Sequence, residues 1–182
     1  MTTKIIYLNG FMASGKSTIG PILANTLGWD FYDLDKVIEH EHGKSVSKIF
    51  EEKGEKYFRE KETEMLCKLS QKLRSVISLG GGTASSNNNL DVMKKTGKII
   101  YLKASPEALF QRLRFKNDRP LLNPDSEDEA GAKLKLRIEE LLNKRAPYYE
   151  QADIIIDTDQ YPLGKTVDLI AKQIIKRINE EN

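Results

Sequence analysis

The 182-residue chain has a single cysteine, a single tryptophan and two histidines. A lone Cys67 can form no internal disulfide and no cysteine-based zinc site, and its setting in "EMLCKL" reads as a small buried hydrophobe. No stretch approaches the roughly 20 apolar residues that cross a bilayer. The opening "MTTKIIYLNG" lacks a basic region ahead of a long apolar run, so no secretory signal is expected and the reading is a cytoplasmic protein without membrane partners. An excess of one charge is missing too: 29 basic against 27 acidic side chains leave a net +2. That balance argues against a dedicated nucleic-acid binder, which concentrates a large basic excess. It leaves room for an anionic small molecule held by a few placed arginines. His40 and His42, two residues apart on a helical stretch, point to different faces and read as surface residues, not as a metal pair.

What is present is alternation. Short apolar runs separated by longer helical patterns predict a parallel α/β domain, and the length suits a single one. "KIIYLN" (Lys4–Asn9) predicts a buried first strand, followed by a glycine loop and a helix from about Ser17 to Leu27. Phe31–Asp33, Ser75–Leu79, Lys98–Lys103 and Asp153–Asp157 predict four further strands. Residues 36–74 carry helical periodicity with breaks near Gly43 and Gly54. Ser105-Pro106 opens another helix, serine accepting from an orphan N–H and proline lacking one. Val167, Ile170, Ile174 and Ile178 share one face of a closing amphipathic helix. Between about 115 and 131, "FKNDRPLLNPDSEDEAG" breaks the pattern. A loop of that length is usually functional or disordered, and its arginine and Pro-Leu-Leu suggest a lid.

"GFMASGKS", Gly10 to Ser17, satisfies G-x-x-x-x-G-K-[ST] between a strand and a helix. Its backbone N–H groups and the helix N-terminus suit phosphates, Lys16 can reach the β- and γ-phosphates, and the Ser17 hydroxyl can ligate Mg²⁺. A guanine-reading N-K-x-D is absent, which disfavours a GTPase. The third apolar run ends in glycines instead of the aspartate that often serves the metal. "FYDLDK" offers replacements: Asp33 and Asp35, at the carboxyl edge of the sheet, face one side if the chain is extended there. Phosphoryl transfer needs a metal, positive charge and an oriented acceptor hydroxyl, and two carboxylates could divide that work. Asp35 could equally cap a helix beginning at Lys36. Arg59, Arg119 and Arg145 suit carboxylates or phosphates, as most arginines do. "SLGGGT" puts three bare glycines, Gly80, Gly81 and Gly82, after the third strand.

Taken in order, "GFMASGKST", "FYDLDKVIE", "FEEKGEKYFREKE", "SLGGGT", "NDRPLL" and "KRAPYYEQADIIIDT" resemble the shikimate kinase family over nearly the whole chain. The resemblance implies one P-loop kinase domain over 1–182, with a five-stranded parallel sheet of order 2-3-1-4-5 between helices. It also implies a substrate-binding helical segment at about 34–62 and a mobile lid at about 115–131. It implies transfer of the ATP γ-phosphate to the 3-hydroxyl of shikimate, a step towards chorismate and the aromatic amino acids, by a monomer using Mg²⁺. ATP would be held by Ala13, Ser14, Gly15, Lys16, Ser17 and Thr18, with Arg112 near the adenine and Gln160 on the nucleotide side. Lys16 and the lid residue Arg119 would act on the transferring phosphate. Asp35 would meet the acceptor hydroxyl as base, and Asp33 would help hold magnesium through water. Arg59 and Arg145 would grip the shikimate carboxylate. Gly80–Gly82 would lie against shikimate, Gly81 most directly, because side chains there would occupy its space.

Two features depart from the family pattern. Many members have glycine at one or both of positions 13 and 14, where this chain has Ala13 and Ser14; alanine tolerates negative φ freely, so nucleotide binding is expected to survive, with a loop geometry that differs. The lid's acidic residues Asp125–Glu129 are expected to face solvent. The rival readings are a P-loop kinase for another small acceptor such as gluconate, and an ATP-binding module that has lost catalysis.

Overall fold

A computed structural model describes residues 5–114 and 127–180. Five strands, β1 (Ile5–Asn9), β2 (Asp30–Asp33), β3 (Ser75–Ser78), β4 (Lys98–Lys103) and β5 (Ile154–Asp157), pair in parallel in the order β2-β3-β1-β4-β5. This is the order the resemblance implies. β1 lies at the centre, buried along its whole length, as a strand covered on both faces should be. Its side chains alternate. Ile5 and Tyr7 join one apolar layer with Leu34, Ile38, Leu66, Met93 and Tyr149. Ile6 and Leu8 join the other, with Ile19 and Leu23 of α1 (Lys16–Leu27) and Val167, Ile170 and Ile174 of the C-terminal helix. The expected amphipathic face of that helix is met at these three positions; the side chain of Ile178 lies outside the described residues.

The helical stretch after β2 is two helices, α2 (Leu34–His42) and α3 (Val46–Leu69), with α3 kinked where Gly54 adopts φ 81°, ψ 168°. Cys67 is exposed, against expectation. Met65, Leu66 and Leu69 form the stripe of α3 that faces the core, and Cys67 falls outside that helical period. A short 3₁₀ turn (Thr83–Ser85) leads to α4 (Asn89–Thr96), and α5 (Pro106–Leu113) begins at the expected cap, where Ser105 Oγ accepts from Ala108 N at 3.2 Å. The next helix, α6, runs from Glu127 to Tyr149, and α7 from Leu163 to Glu180. The segment 127–131, expected as the end of a lid, is thus the start of a helix, in keeping with the Ala-, Lys- and Leu-rich run that follows it. Residues 115–126, with Arg119, lie outside the described residues, as do the side chains of Glu127–Glu129.

β1 and β3 are neighbours in register, Leu8 opposite Ser78, and Leu79 N donates to Leu8 O at 3.1 Å. The glycine loop after β1 and the triglycine after β3 therefore leave the same sheet edge side by side, next to the Asp33 end of β2. Among the described residues, no helix is long and apolar enough to cross a membrane.

Candidate active site

These loops enclose a cleft of about 730 Å³, lined by Met12–Ile19, Asp33, Asp35, Gly80 and Gly81, and on its other wall by Arg112, Thr158 and Tyr161. The glycine loop gives the cleft its floor. Gly10 (φ 142°) passes so close to Leu102 O that a Cβ would stand 2.6 Å from it, and Gly15 (φ 102°) turns the chain into α1. Lys16 is buried, its ammonium donating to Gly10 O at 2.8 Å and Phe11 O at 2.7 Å. Ser14 Oγ is buried with no hydrogen-bond partner among the described residues. Ala13 sits at φ 61°, in the left-handed region and not at the negative φ expected for alanine.

Asp33 and Asp35 both face the cleft, though not along an extended chain. Asp33 ends β2 and Asp35 lies in the first turn of α2. The helix cap is Asp33, not Asp35: its Oδ1 accepts from Lys36 N at 3.3 Å while its Oδ2 accepts from Ser17 Oγ at 3.1 Å. One carboxylate thus ties the P-loop serine to the start of α2, and Asp35 is left to project inward.

The triglycine has a clear steric reason. A Cβ on Gly80 would stand 2.8 Å from Asp35 Oδ1 and 3.0 Å from Glu62 Oε1, one on Gly82 would stand 2.5 Å from Arg59 Nη2, and one on Gly81 would stand 3.4 Å from Arg145 Nη1 and 3.3 Å from Met12 N. Bare backbone lets an aspartate and two arginines converge from α2, α3 and α6. Side chains on Gly80 and Gly82 would collide first with these groups, whereas at Gly81 a Cβ would make only a tight contact.

Each arginine is held. Arg59 Nη1 donates to Glu62 Oε2 at 2.9 Å and Nη2 to Glu55 Oε1 at 3.2 Å, with the guanidinium 5.4 Å above the Phe58 ring. Burial works against the charge of Arg59, but Glu62 and Glu55 outweigh it and raise the pKa above its ordinary value. Glu62 is fully buried, its second oxygen accepting from Thr83 Oγ1 at 2.6 Å. Arg145 packs over Phe11, 5.8 Å from the ring centroid, and its Nη1 is buried with no hydrogen-bond partner among the described residues. Such a donor is costly unless something accepts from it.

On the opposite wall Arg112 donates to Asp159 Oδ1 at 3.0 Å and approaches Ala13 O at 3.4 Å. Gln160 does not line the cleft; its amide donates to Asp157 Oδ2 at 2.9 Å, while its neighbours Thr158 and Tyr161 face inward. The residues not singled out from sequence are Glu62, Thr83 and Tyr149, the last of which donates its hydroxyl to Gly81 O. Only the i, i+3 spacing of Glu62 from Arg59 and the i, i+4 spacing of Tyr149 from Arg145 hinted at them.

A P-loop on the central strand of a 2-3-1-4-5 parallel sheet, opening on a cleft with an inward carboxylate beside a triglycine that two arginines approach, defines a P-loop kinase of the nucleoside-monophosphate-kinase-like class. Comparison narrows the class: residues 12–179 match the family described as shikimate kinase, and the chain belongs to that family. Shikimate kinases of Chlorobaculum parvum and Chlorobaculum tepidum are each 45% identical to it, covering 96% and 98% of this chain and 94% and 96% of their own. The solved shikimate kinase of Bacteroides thetaiotaomicron superposes with a TM-score of 0.86 at 35% identity, over 94% of this chain and 98% of its own. That of Acinetobacter baumannii, in complex with shikimate, superposes at 0.88 and 33% identity, over 97% of this chain and 95% of its own. A gluconokinase of Sinorhizobium meliloti, at 16% identity and a TM-score of 0.57, shares the fold alone.

Proposed function

We propose that the chain transfers the γ-phosphate of ATP to the 3-hydroxyl of shikimate, with Asp35 as base and Arg59 and Arg145 as the carboxylate grip. The observation that carries the assignment is the convergence of these three side chains on Gly80–Gly82, at the cleft that Lys16 also lines. The acceptor carboxylate would take the buried Nη1 of Arg145 and the outward face of Arg59, a planar two-arginine clamp suited to a carboxylate. That seats the acceptor ring on the glycines with a hydroxyl at Asp35.

As the hydroxyl oxygen bonds to the γ-phosphorus, its proton passes to Asp35 and the bond from γ-phosphorus to the β–γ bridging oxygen breaks, releasing ADP. Lys16 exchanges its bonds to Gly10 O and Phe11 O for the β- and γ-oxygens, and the loop N–H groups hold the phosphates in line. Arg112, fixed by Asp159, closes the nucleotide wall. A magnesium ion fits the donor set: Ser17 Oγ and Asp33 Oδ2 are hard oxygen ligands 3.1 Å apart, and Mg²⁺ is typically held by one or two protein oxygens, substrate phosphates and water. Held by these two residues, it would supply charge neutralisation for the transferring phosphate. Arg119 would add charge to the transferring phosphate. A monomer suffices for this scheme, since every group named belongs to one chain.

The test is ADP release with ATP and Mg²⁺, comparing shikimate, gluconate, a nucleoside monophosphate and no acceptor. Stimulation by shikimate alone is expected. Asp35→Asn should lower kcat by about 10²–10⁴-fold, the usual range for a general base, with ATP affinity within about twofold of wild type. Turnover within threefold of wild type would remove Asp35 from the role of base.

A further inference from the structure

The hydroxyl of Tyr149 donates to the carbonyl of Gly81, the middle glycine, from a ring that is fully buried. Its ring lies 5.2 Å from that of Tyr101, at an interplanar angle of 35°. Tyr149 stands four residues after Arg145 on α6, so the helical repeat puts both on one face, at the triglycine. The peptide they flank is the one with the least intrinsic preference of its own, because glycine accepts many orientations that a side chain would forbid.

We propose that Tyr149 is a positioning residue for the acceptor, acting by locking the Gly81–Gly82 peptide plane. The inference rests on the reading of Gly80–Gly82 as the acceptor's platform. In a trans peptide the carbonyl of one residue and the N–H of the next point in opposite directions. Fixing Gly81 O on Tyr149 therefore fixes the direction of Gly82 N–H as well. Without the hydroxyl, the Gly81–Gly82 peptide loses this anchor while Gly80 O and Gly82 O keep theirs from Thr83 N and from Ser85 and Ser86, and the acceptor contacts aligned by that peptide loosen together. Nucleotide contacts depend on the P-loop and are untouched. Burial raises the pKa of the Tyr149 hydroxyl well above its ordinary value, with Arg145 opposing, so it remains a donor throughout the working pH range.

The experiment uses the full chain with Tyr149→Phe, which keeps the ring and deletes the hydroxyl, beside Tyr101→Phe, which deletes a hydroxyl from the other ring of the pair. Wild-type enzyme is measured first for shikimate-dependent ADP release; if shikimate gives no stimulation, the acceptor reading fails and the platform argument with it. With that established, Tyr149→Phe should raise the shikimate KM by about tenfold, a typical consequence of losing a buried hydrogen bond, while the KM for ATP moves less than twofold. Tyr101→Phe should leave both constants within twofold. An equal rise in both KM values, no rise at all, or the same selective rise in Tyr101→Phe would overturn the proposal. Should Tyr149→Phe melt below the assay temperature, the wild-type enzyme itself decides by NMR. A slowly exchanging Tyr149 phenolic proton that shifts on adding shikimate but not on adding ATP supports the lock; one exchanging at the solvent rate, or indifferent to shikimate, overturns it.

Discussion

At φ 61°, Ala13 holds a conformation that costs an L-residue with a Cβ about 1–2 kcal/mol. The loop holds it there from both sides: Ser14 N donates to Phe11 O at 3.2 Å, and Arg112 reaches Ala13 O at 3.4 Å. The strain is therefore built into the phosphate floor. Glycine at this position would relieve it, offset by the greater freedom glycine gives the unfolded chain. Ala13→Gly should thus gain about 0.5–1 kcal/mol, read as a higher urea midpoint at unchanged slope. An unchanged or lower midpoint would mean that the loop relaxes around alanine. The sequence shows the alanine plainly but not its φ, because a P-loop pattern fixes spacing and leaves the dihedral of each intervening residue to the fold. Asp33 and Asp35 show the same limit. Their presence at a strand end was readable, whereas which of them caps α2 depends on where the helix begins, a matter of one or two residues.

Among the elements, α3 does most to shape the proposed acceptor wall. Arg59 and Glu62 lie on it, and the loop from Thr83 to Asn89 is fastened to it. Asn87 Nδ2 donates to Thr63 Oγ1 at 2.7 Å and to Arg59 O at 3.2 Å, while Asn89 Nδ2 donates to Thr83 O at 3.0 Å. Glu62 is the joint, accepting Thr83 on one oxygen and Arg59 on the other. Glu62→Gln keeps the shape but removes the charge and replaces one accepting oxygen with a donor. It should cost about 2 kcal/mol in urea denaturation, in the range of a hydrogen bond to a charged group, and raise the shikimate KM more than that for ATP. A loss below about 0.5 kcal/mol would show that the pair contributes nothing net. The strands and the P-loop were legible because apolar runs and glycine spacing are strong periodic signals. Glu62 was not: in "EEKGEKYFREKETE" it is one acid among many, and only packing reveals which of them is buried.

For the molecule as a whole, three tyrosines sit in the layer on one face of the sheet, and burial raises the pKa of each: Tyr7, Tyr149 and Tyr101, the last to about 12. In the unfolded chain a tyrosine ionises near 10. Because the folded values are higher, the stabilisation is intact below about pH 10 and is lost as the pH rises through about 12. Urea midpoints measured stepwise across that interval should fall, and fall less steeply in Tyr101→Phe; a flat profile would contradict the buried, protonated state. The register of β1 on β3 carries a consequence of another kind. The P-loop and the triglycine start from strands locked Leu8 to Ser78, so one added residue in either strand would slide one loop past the other by about 3.3 Å, about the full length of a hydrogen bond. Lineages of this fold can therefore lengthen their connections at the far edge of the sheet with little loss, while the two central strands must keep their count, and the history of insertions and deletions in such chains should read as a map of where phosphate and acceptor meet.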